Sequence, residues 1–451
     1  MGAEQAADRN PTGLVNKLIG PAAGPDYTTA VMTPRFAFAP CAPRRARFLQ
    51  AAACAVCTLA AGLAPAEEPT LPTGLTLRPV TPVMGYAAAP GIDAQATLTQ
   101  ADELRNSGLA ASGYRFVLLP ADVLAGRDAQ GVLRADPARF PEGGRAMSMA
   151  LRARDLVPGL VVNANTLANA AAPDPGADDQ GAIPAGLAAA RDADLTRLLR
   201  GADVGLLQVD LSEVDGPVAA RFRPLASATR RIRPSAVLIC NTGGYPGDWV
   251  INTADAWRVV GPPPPLAPPF HRITAALDAS HDAWRTTYPG CTPDLGPLRF
   301  EGLTPAQRHT HVVAWAMLAS PLWITGDLTQ MGNDDLGLLV NPELVALHQD
   351  PLVQPARRLS VQGDLELWAR PLGDGIHSGR VAVAAINRGD AQATGTIDPA
   401  VLGLDPAVPF TAADLITGRP VETGRDVTVA PHATVLLRYE GTAVRESPFA
   451  R

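Results

Sequence analysis

Lysine is almost absent from this sequence. Lys17 is the only one in 451 residues, the net charge is −6 at pH 7, and the arginines are scattered among acidic residues. A surface that binds nucleic acid needs massed cationic side chains to neutralise phosphates. The composition therefore excludes nucleic acid as an expected partner.

The composition typical of a disordered chain is also missing. Apolar residues make up 47% and charged residues 18% of the chain, which is ordinary for globular proteins. The 44 prolines and 41 glycines suit many short loops between short elements. The length allows two or three domains.

The apolar run near the amino terminus is short. The run covers residues 48–63, about 16 residues, whereas a helix that spans a membrane needs about 20. Arg44–Arg47 precede the run and Ala64–Ala66 follow it as a small-residue cleavage site, which predicts a leader with a signal peptide over residues 1–66. Met32 is the expected start of translation. A membrane anchor or a buried helix is the alternative to export. We expect a periplasmic or extracellular protein without a stable span after leader removal.

Cysteine is scarce as well. Three of the five cysteines, Cys41, Cys54 and Cys57, would leave with the leader, so the mature chain keeps Cys240 and Cys291. In an oxidising compartment these two could form one disulfide, and two separate buried thiols are the alternative. Their spacing fits no zinc motif. No metal and no cofactor are expected.

Residues 80–356 alternate between short apolar runs and helical stretches. Such runs, bounded by turn residues, are typical of buried parallel strands, and they cover residues 82–86, 114–119, 159–163, 204–209, 236–240 and 322–325. Thr304–Gln307 form a capping box with proline at the first helical position. About six strand-helix units predict an α/β fold, a (β/α)8 TIM barrel.

After residue 356 the pattern changes. Residues 360–362, 365–368, 380–385, 426–429 and 433–438 form strand-like runs joined by turn residues, with no helical period between them. We predict a carboxyl-terminal antiparallel β-sandwich domain over residues 357–441. Residues 442–451 are predicted to be a loose tail.

Asp210 closes the apolar run Val204–Val209. A carboxylate at the carboxyl end of a barrel strand lies where such barrels keep their catalytic residues. The alternative is that Asp210 caps the turn that follows, as aspartates often do.

Several motifs resemble the α-galactosidase family of retaining glycoside hydrolases, family 27. The loop Arg127–Gly131 followed by Asp136–Gly143 is the strongest match. Further matches in the same order are residues 107–114, 257–258, 293–294, 315–322, 341–343 and 349–350. The resemblance covers roughly residues 80–440. It implies a barrel followed by a β-sandwich, and a carbohydrate substrate carrying a terminal α-galactosyl or related residue.

The resemblance also implies roles for individual residues. Asp210 matches the family's nucleophile, which works with a second carboxylate about 5–5.5 Å away that acts as acid and base. Arg258 and Asp294 match substrate-binding positions. The matching position for the acid/base is Pro262, and proline has no proton to donate.

Other departures surround the same site. The family's sugar-gripping aspartate pair corresponds to Pro120 and Ala121, with Asp122 one position late. The tryptophan-rich first turn is reduced to Tyr86, and further family positions are held by Gln208, Ser212, Asn241 and Thr242. Ser212 stands where the family has the usual disulfide partner of Cys240.

The sequence offers several substitutes for the missing acid. Five carboxylates lie near predicted strand ends, Asp122, Glu213, Asp215, Asp248 and Asp255, and two histidines follow the proline run, His271 and His281. Two hypotheses follow. The first is an α-galactosidase-like hydrolase with Asp210 as nucleophile and a relocated acid. The second is a catalytically impaired homologue that binds carbohydrate or serves as a scaffold.

Overall fold

The structure is a computed structural model of the chain. It describes residues 81–163, 167, 185–214, 216–262, 264, 266–373, 375–423 and 426–450. The predicted leader with its three cysteines lies outside these ranges, as does Asp215. Within them, no helix is long and apolar enough to cross a membrane.

Eight parallel strands form the first sheet. They are β1 (Met84–Ala87), β2 (Phe116–Leu119), β5 (Val157–Asn163), β6 (Leu206–Asp210), β7 (Val237–Asn241), β8 (Ala256–Arg258), β9 (Thr292–Asp294) and β10 (Leu322–Ile324). Their order in the sheet is β10-β1-β2-β5-β6-β7-β8-β9. A parallel bridge between Leu298, just after β9, and Ile324 brings the two edges together. The predicted (β/α)8 architecture is confirmed.

Helices and one hairpin connect the strands. The helices are α1 (Ala94–Asn106), α2 (Gly143–Arg152), α3 (Ala185–Thr196), α4 (Val218–Ile232), α5 (His271–Ala279), α6 (Pro305–Met317), α7 (Asn333–Leu339) and α8 (Pro342–His348), and the hairpin consists of β3 (Leu124–Arg127) and β4 (Leu133–Ala135). The predicted capping box is confirmed at α6, where Thr304 Oγ1 accepts from Gln307 N and Gln307 Oε1 accepts from Thr304 N.

The alternation of side chains along β6 positions the site. Leu206 packs inside the barrel with Val237 and Trp323, whereas Leu207 and Val209 belong to the core between the sheet and the helices. Successive strand residues point to opposite faces. Gln208 and Asp210 therefore share the inner face with Leu206, and Asp210 lies at its carboxyl end.

The carboxyl-terminal domain is antiparallel. Its strands are β11 (Arg357–Gln362), β12 (Leu365–Pro371), β13 (Arg380–Asn387), β14 (Ala393–Thr396), β15 (Thr411–Asp414), β16 (Pro420–Val421), β17 (Asp426–Val429) and β18 (Thr434–Glu440). A six-stranded sheet has the order β11-β12-β13-β18-β15-β16, and β14 pairs with β17 in a second sheet. Residues of both sheets, such as Val383 and Val429, share one apolar core.

The barrel and this β domain belong to one compact unit. Helix α6 packs against both β13 and β18. Arg370 of β12 donates from Nη1 to the carbonyl of Ala316 in α6 at 2.8 Å, and Trp368 and Trp315 belong to the same apolar cluster. The two domains are therefore joined by a continuous core.

The prediction of a loose tail is wrong for the described residues 442–450. Phe449 is buried in the core of the β domain. The Arg357 guanidinium donates to the carbonyls of Phe449 and Ala450 at 2.7 and 3.0 Å. One aromatic anchor and one arginine suffice to fix this segment.

The two cysteines of the described chain are separate buried thiols, so the tentative Cys240–Cys291 disulfide is not formed. Cys240 lies on β7 and Cys291 directly precedes β9, with β8 between them. Two strand spacings amount to about 10 Å, whereas bridged cysteines have Cα atoms within about 7 Å. Cys291 Sγ instead lies 3.8 Å from the carbonyl of Ala254.

Candidate active site

A cavity of about 1080 Å³ opens at the carboxyl ends of the barrel strands. The last residues of β5, β6, β7 and β8 line it, which are Asn163, Asp210, Asn241 and Arg258. Trp323 of β10 also contributes. This is the face on which (β/α)8 barrels carry their chemistry, so the cavity is the candidate active site.

Asp210 enters this cavity with one oxygen held in place. Its Oδ1 accepts hydrogen bonds from the amide and the hydroxyl of Ser212, at 3.0 and 2.6 Å. Its Oδ2 has no hydrogen-bond partner among the described residues. Asp210 thus caps the following turn and also presents an oxygen to the cavity, so the two interpretations of its role are compatible.

Cys240 lies beside this carboxylate without taking part in its chemistry. Burial, with a further contribution from the charge of Asp210, raises the pKa of the Cys240 thiol to about 12. A thiol is nucleophilic only as the thiolate. Cys240 is therefore an inert core residue.

Asp122 is the other carboxylate that lines the described cavity. It lies in a short 3-10 helix, Ala121–Val123, that follows β2. Its Oδ2 accepts from the amide of Gly91 at 2.7 Å and pairs with Arg139 at 3.1 Å. These contacts fix it as a hydrogen-bond acceptor at the cavity wall.

The structure does not bring the other proposed acids to this cavity. Glu213 and Asp248 are exposed on loops, and Asp248 accepts from the hydroxyl of Tyr245. Asp255 lies at the opposite, amino end of β8, where it pairs with Arg230 at 2.7 Å. His271 begins α5 and His281 pairs with Asp282 on the surface.

Arg258 and Asp294 form an ion pair at 3.0 Å. Asp294 is fully buried and also accepts from the amide of Gly296 at 2.8 Å. Arg258 reaches the cavity, whereas Asp294 does not line it. Asp294 therefore positions the Arg258 guanidinium instead of touching a ligand in the cavity.

The aromatic residue at the cavity is not the one that the sequence suggested. Tyr86 is buried on the helix side of the sheet, so it provides no platform for a sugar ring. Trp323 lines the cavity instead. It shares the inner face of the barrel with Leu206, and the strand Leu322–Ile324 is too short for its alternation to show this in the sequence.

The β3–β4 hairpin also contributes residues that the sequence did not predict as site residues. Leu124, Gly126, Arg127 and Leu133 line the cavity, and Arg127 forms an ion pair with the buried Asp194 at 2.6 Å. The strongest family-like loop of the sequence is thus part of the site. Among the described residues, no group of three His, Cys, Asp or Glu side chains could hold a metal ion.

Comparisons with known proteins agree with this geometry. Residues 362–439 match the α-galactosidase C-terminal β-sandwich domain. The chain is 29% identical to α-galactosidase 2 of Arabidopsis thaliana over 345 residues, 74% of this chain and 82% of that protein. The chain is therefore similar to α-galactosidases along most of its length, and its carboxyl-terminal domain matches theirs.

Solved structures show the same α-galactosidase-family fold. α-Galactosidase I of Mortierella vinacea superposes with a TM-score of 0.70 at 21% identity, covering 82% of this chain and 99% of that one. A β-L-arabinopyranosidase from Geobacillus stearothermophilus, solved with arabinose, gives 0.69 at 17% identity, covering 81% and 98%. At these identities the likeness concerns the fold alone.

Proposed function

We propose that the protein hydrolyses terminal α-galactosides or closely related glycosides with retention, and that Asp210 is the nucleophile. One observation carries this proposal: Asp210 presents to a cavity at the carboxyl ends of the barrel strands an oxygen that no described residue hydrogen-bonds. Related sugars are included because the same fold occurs in a β-L-arabinopyranosidase.

The contacts of Asp210 suit nucleophilic attack. The Ser212 amide and hydroxyl hold Oδ1, which leaves Oδ2 to form the bond with the anomeric carbon while the glycosidic oxygen departs. Arg258, held by Asp294, donates hydrogen bonds to a sugar hydroxyl. Water then releases the sugar from Asp210 in the second step.

The departing oxygen lacks the family's proton donor. Pro262 lies at that position in the sequence and faces a neighbouring cavity. General acid catalysis typically contributes about 10²–10⁴-fold to the rate. We therefore expect this enzyme to favour glycosides whose leaving group departs without protonation.

The second candidate function is carbohydrate binding without turnover. The same observation at Pro262 favours it, because no described carboxylate other than Asp122 lines the cavity beside Asp210. Asp122 is held by Gly91 and Arg139.

Hydrolysis of dinitrophenyl and methyl α-galactosides separates the two functions. The hydrolase should cleave the dinitrophenyl glycoside, and the Asp210→Asn variant should lose about 10³-fold or more of that rate because the nucleophile is gone. The methyl glycoside should react far more slowly. An activated 2-fluoro galactoside should label Asp210, as read by peptide mass spectrometry.

Asp248→Asn is the matched control, since Asp248 is an exposed carboxylate outside the cavity and should leave the rate unchanged. The hydrolase proposal is abandoned if the dinitrophenyl glycoside is not cleaved and Asp210 takes no label. Binding of galactose under those conditions would establish the second function.

A further inference from the structure

A second cavity of about 590 Å³ adjoins the candidate active site. The two share four lining residues, Asn241, Arg258, Pro297 and Arg299. Pro262 lies in the wall of the second cavity. The position of the family's acid/base is therefore part of a space that continues from the candidate active site.

Arginine dominates the charge of this second cavity. Arg258, Arg272 and Arg299 line it, and no described aspartate or glutamate does. Only Arg258 is neutralised, by the buried Asp294. Neither Arg272 nor Arg299 makes an ion pair or a side-chain hydrogen bond with another described residue. Arg272 is half-buried and Arg299 is exposed, so both guanidinium groups are available to an anionic ligand.

Buried donors without partners point to the same conclusion. Arg272 Nη2 is buried and has no hydrogen-bond partner among the described residues. His311 is 1% exposed and lines the cavity, and neither ring nitrogen makes a well-formed hydrogen bond, although the Arg299 backbone lies close enough to interact with the ring. Buried polar groups are normally hydrogen-bonded. A ligand that accepts hydrogen bonds would satisfy Arg272 Nη2 and the one His311 nitrogen that carries a proton.

Burial, together with the charge of Arg272, lowers the pKa of His311 to about 3. The imidazole is therefore neutral near pH 7 and carries one N–H donor. The prolines and the ring of Trp315 complete an apolar wall around the donors. Arginines in such a setting bind carboxylate or sulfate oxygens in pairs of hydrogen bonds.

We propose that the cavity lined by Arg258, Arg272, Arg299 and His311 binds an anionic group, a carboxylate or a sulfate, on the carbohydrate that occupies the candidate active site. The preferred ligand is thus an acidic glycan rather than a neutral galactoside. This inference rests on the proposed function for the placement of the sugar, and it adds the substrate class.

Binding measurements test this without requiring turnover. Titration calorimetry compares α-1,4-galactobiose, its 6-sulfated form and α-1,4-digalacturonate on the Asp210→Asn protein. We expect one or both acidic disaccharides to bind at least about tenfold more tightly than galactobiose, because charge-assisted hydrogen bonds contribute on that scale. The stronger of the two identifies the anion as carboxylate or sulfate.

Arg272→Gln and Arg299→Gln, each combined with Asp210→Asn, should remove this preference. Arg272 lines only the second cavity, so Arg272→Gln should leave galactobiose binding unchanged. The two substitutions are independent, so a folding defect in one leaves the other informative. Arg223→Gln, at an exposed arginine of α4, is the matched control and should keep the preference.

Equal affinity for the three disaccharides, or no binding of any, overturns the anion site. A preference that survives both Arg272→Gln and Arg299→Gln also overturns it. Cleavage of dinitrophenyl α-galactoside by the unmodified enzyme is measured separately. The hydrolase proposal can therefore hold while the anion site fails.

Discussion

His348 is fully buried between α8 and the barrel. Its Nε2 lies 2.7 Å from the carbonyl of Ser320, and Nδ1 lies 2.8 Å from Gln349 Nε2. A carbonyl only accepts, so Nε2 carries the proton and Nδ1 accepts from the Gln349 amide. Both nitrogens of the neutral ring are therefore hydrogen-bonded. A second proton, on Nδ1, would break the hydrogen bond from Gln349.

This residue should make stability depend on pH. Burial, with Arg370 contributing, lowers the pKa of His348 from 6.5 to about 4 in the folded protein. The unfolded chain takes up a proton near pH 6.5 and the folded chain only near pH 4. The stabilising effect of the neutral His348 ring is therefore complete above pH 6.5 and is lost as the pH falls towards 4. The total loss is about 3 kcal/mol.

Urea unfolding at pH 7.5 and pH 5 measures this effect. The free energy of unfolding of the His348→Gln protein should fall by about 2 kcal/mol less between these pH values than that of the unmodified protein. His281→Gln, at an exposed histidine, should behave like the unmodified protein. An unchanged pH dependence in His348→Gln would contradict the assignment.

The sequence predicted part of the site residue by residue. Asp210 was predictable because it closes an apolar run that is typical of a buried parallel strand. The role of Asp294 as a buried partner of Arg258 was not predictable, because the two residues meet only through the pairing of neighbouring strands. The second cavity was not predictable either, since its arginines come from β8, α5 and the segment after β9.

At the scale of elements, α6 carries several of the contacts between the domains. Its capping glutamine, Gln307, also bonds His432 Nδ1 in the β domain at 2.9 Å. Thr310 of the same helix donates to the carbonyl of His432 at 2.8 Å. The start of α6 therefore fixes both the helix and the neighbouring turn of the β domain.

Removing the cap should cost a measurable amount of stability. Thr304→Ala deletes the oxygen that accepts from Gln307 N and should lower the free energy of unfolding by about 1 kcal/mol. Thr304→Ser keeps that oxygen and should cost only a small fraction of this. Equal losses in the two variants, measured by urea unfolding, would show that the methyl group matters and the cap does not.

Strand prediction succeeded where strands are apolar. The six predicted barrel strands all occur, with ends shifted by a few residues. β8 and β9 were missed because each has three residues and ends on a charged one, Arg258 or Asp294. Neither is an apolar run of the kind that predicted β10, which also has three residues. Those two strands supply the ion pair of the site.

At the scale of the whole molecule, the barrel and the β domain share one core. Trp315 of the barrel and Trp368 of the β domain lie in one apolar cluster, and Arg370 crosses to α6. A continuous core makes separate unfolding of either part unfavourable, because each would expose the buried face of the other.

We therefore expect a single unfolding transition. Tryptophan fluorescence and far-ultraviolet circular dichroism should give the same urea midpoint. Arg370→Ala should lower that midpoint for both signals together, since it removes a buried contact between the domains. Arg380→Ala, at an exposed position of β13, should have little effect. Two separated midpoints in the unmodified protein would contradict the shared core.

The anchored carboxyl terminus has a practical consequence for production of the protein. The Phe449 side chain is buried in the β domain, and the carbonyl of Ala450 accepts a hydrogen bond from Arg357. An affinity tag fused directly after residue 451 would begin almost at this anchor and would compete with it for space. A flexible Gly/Ser linker would let the tag project into solvent while the anchor stays in place.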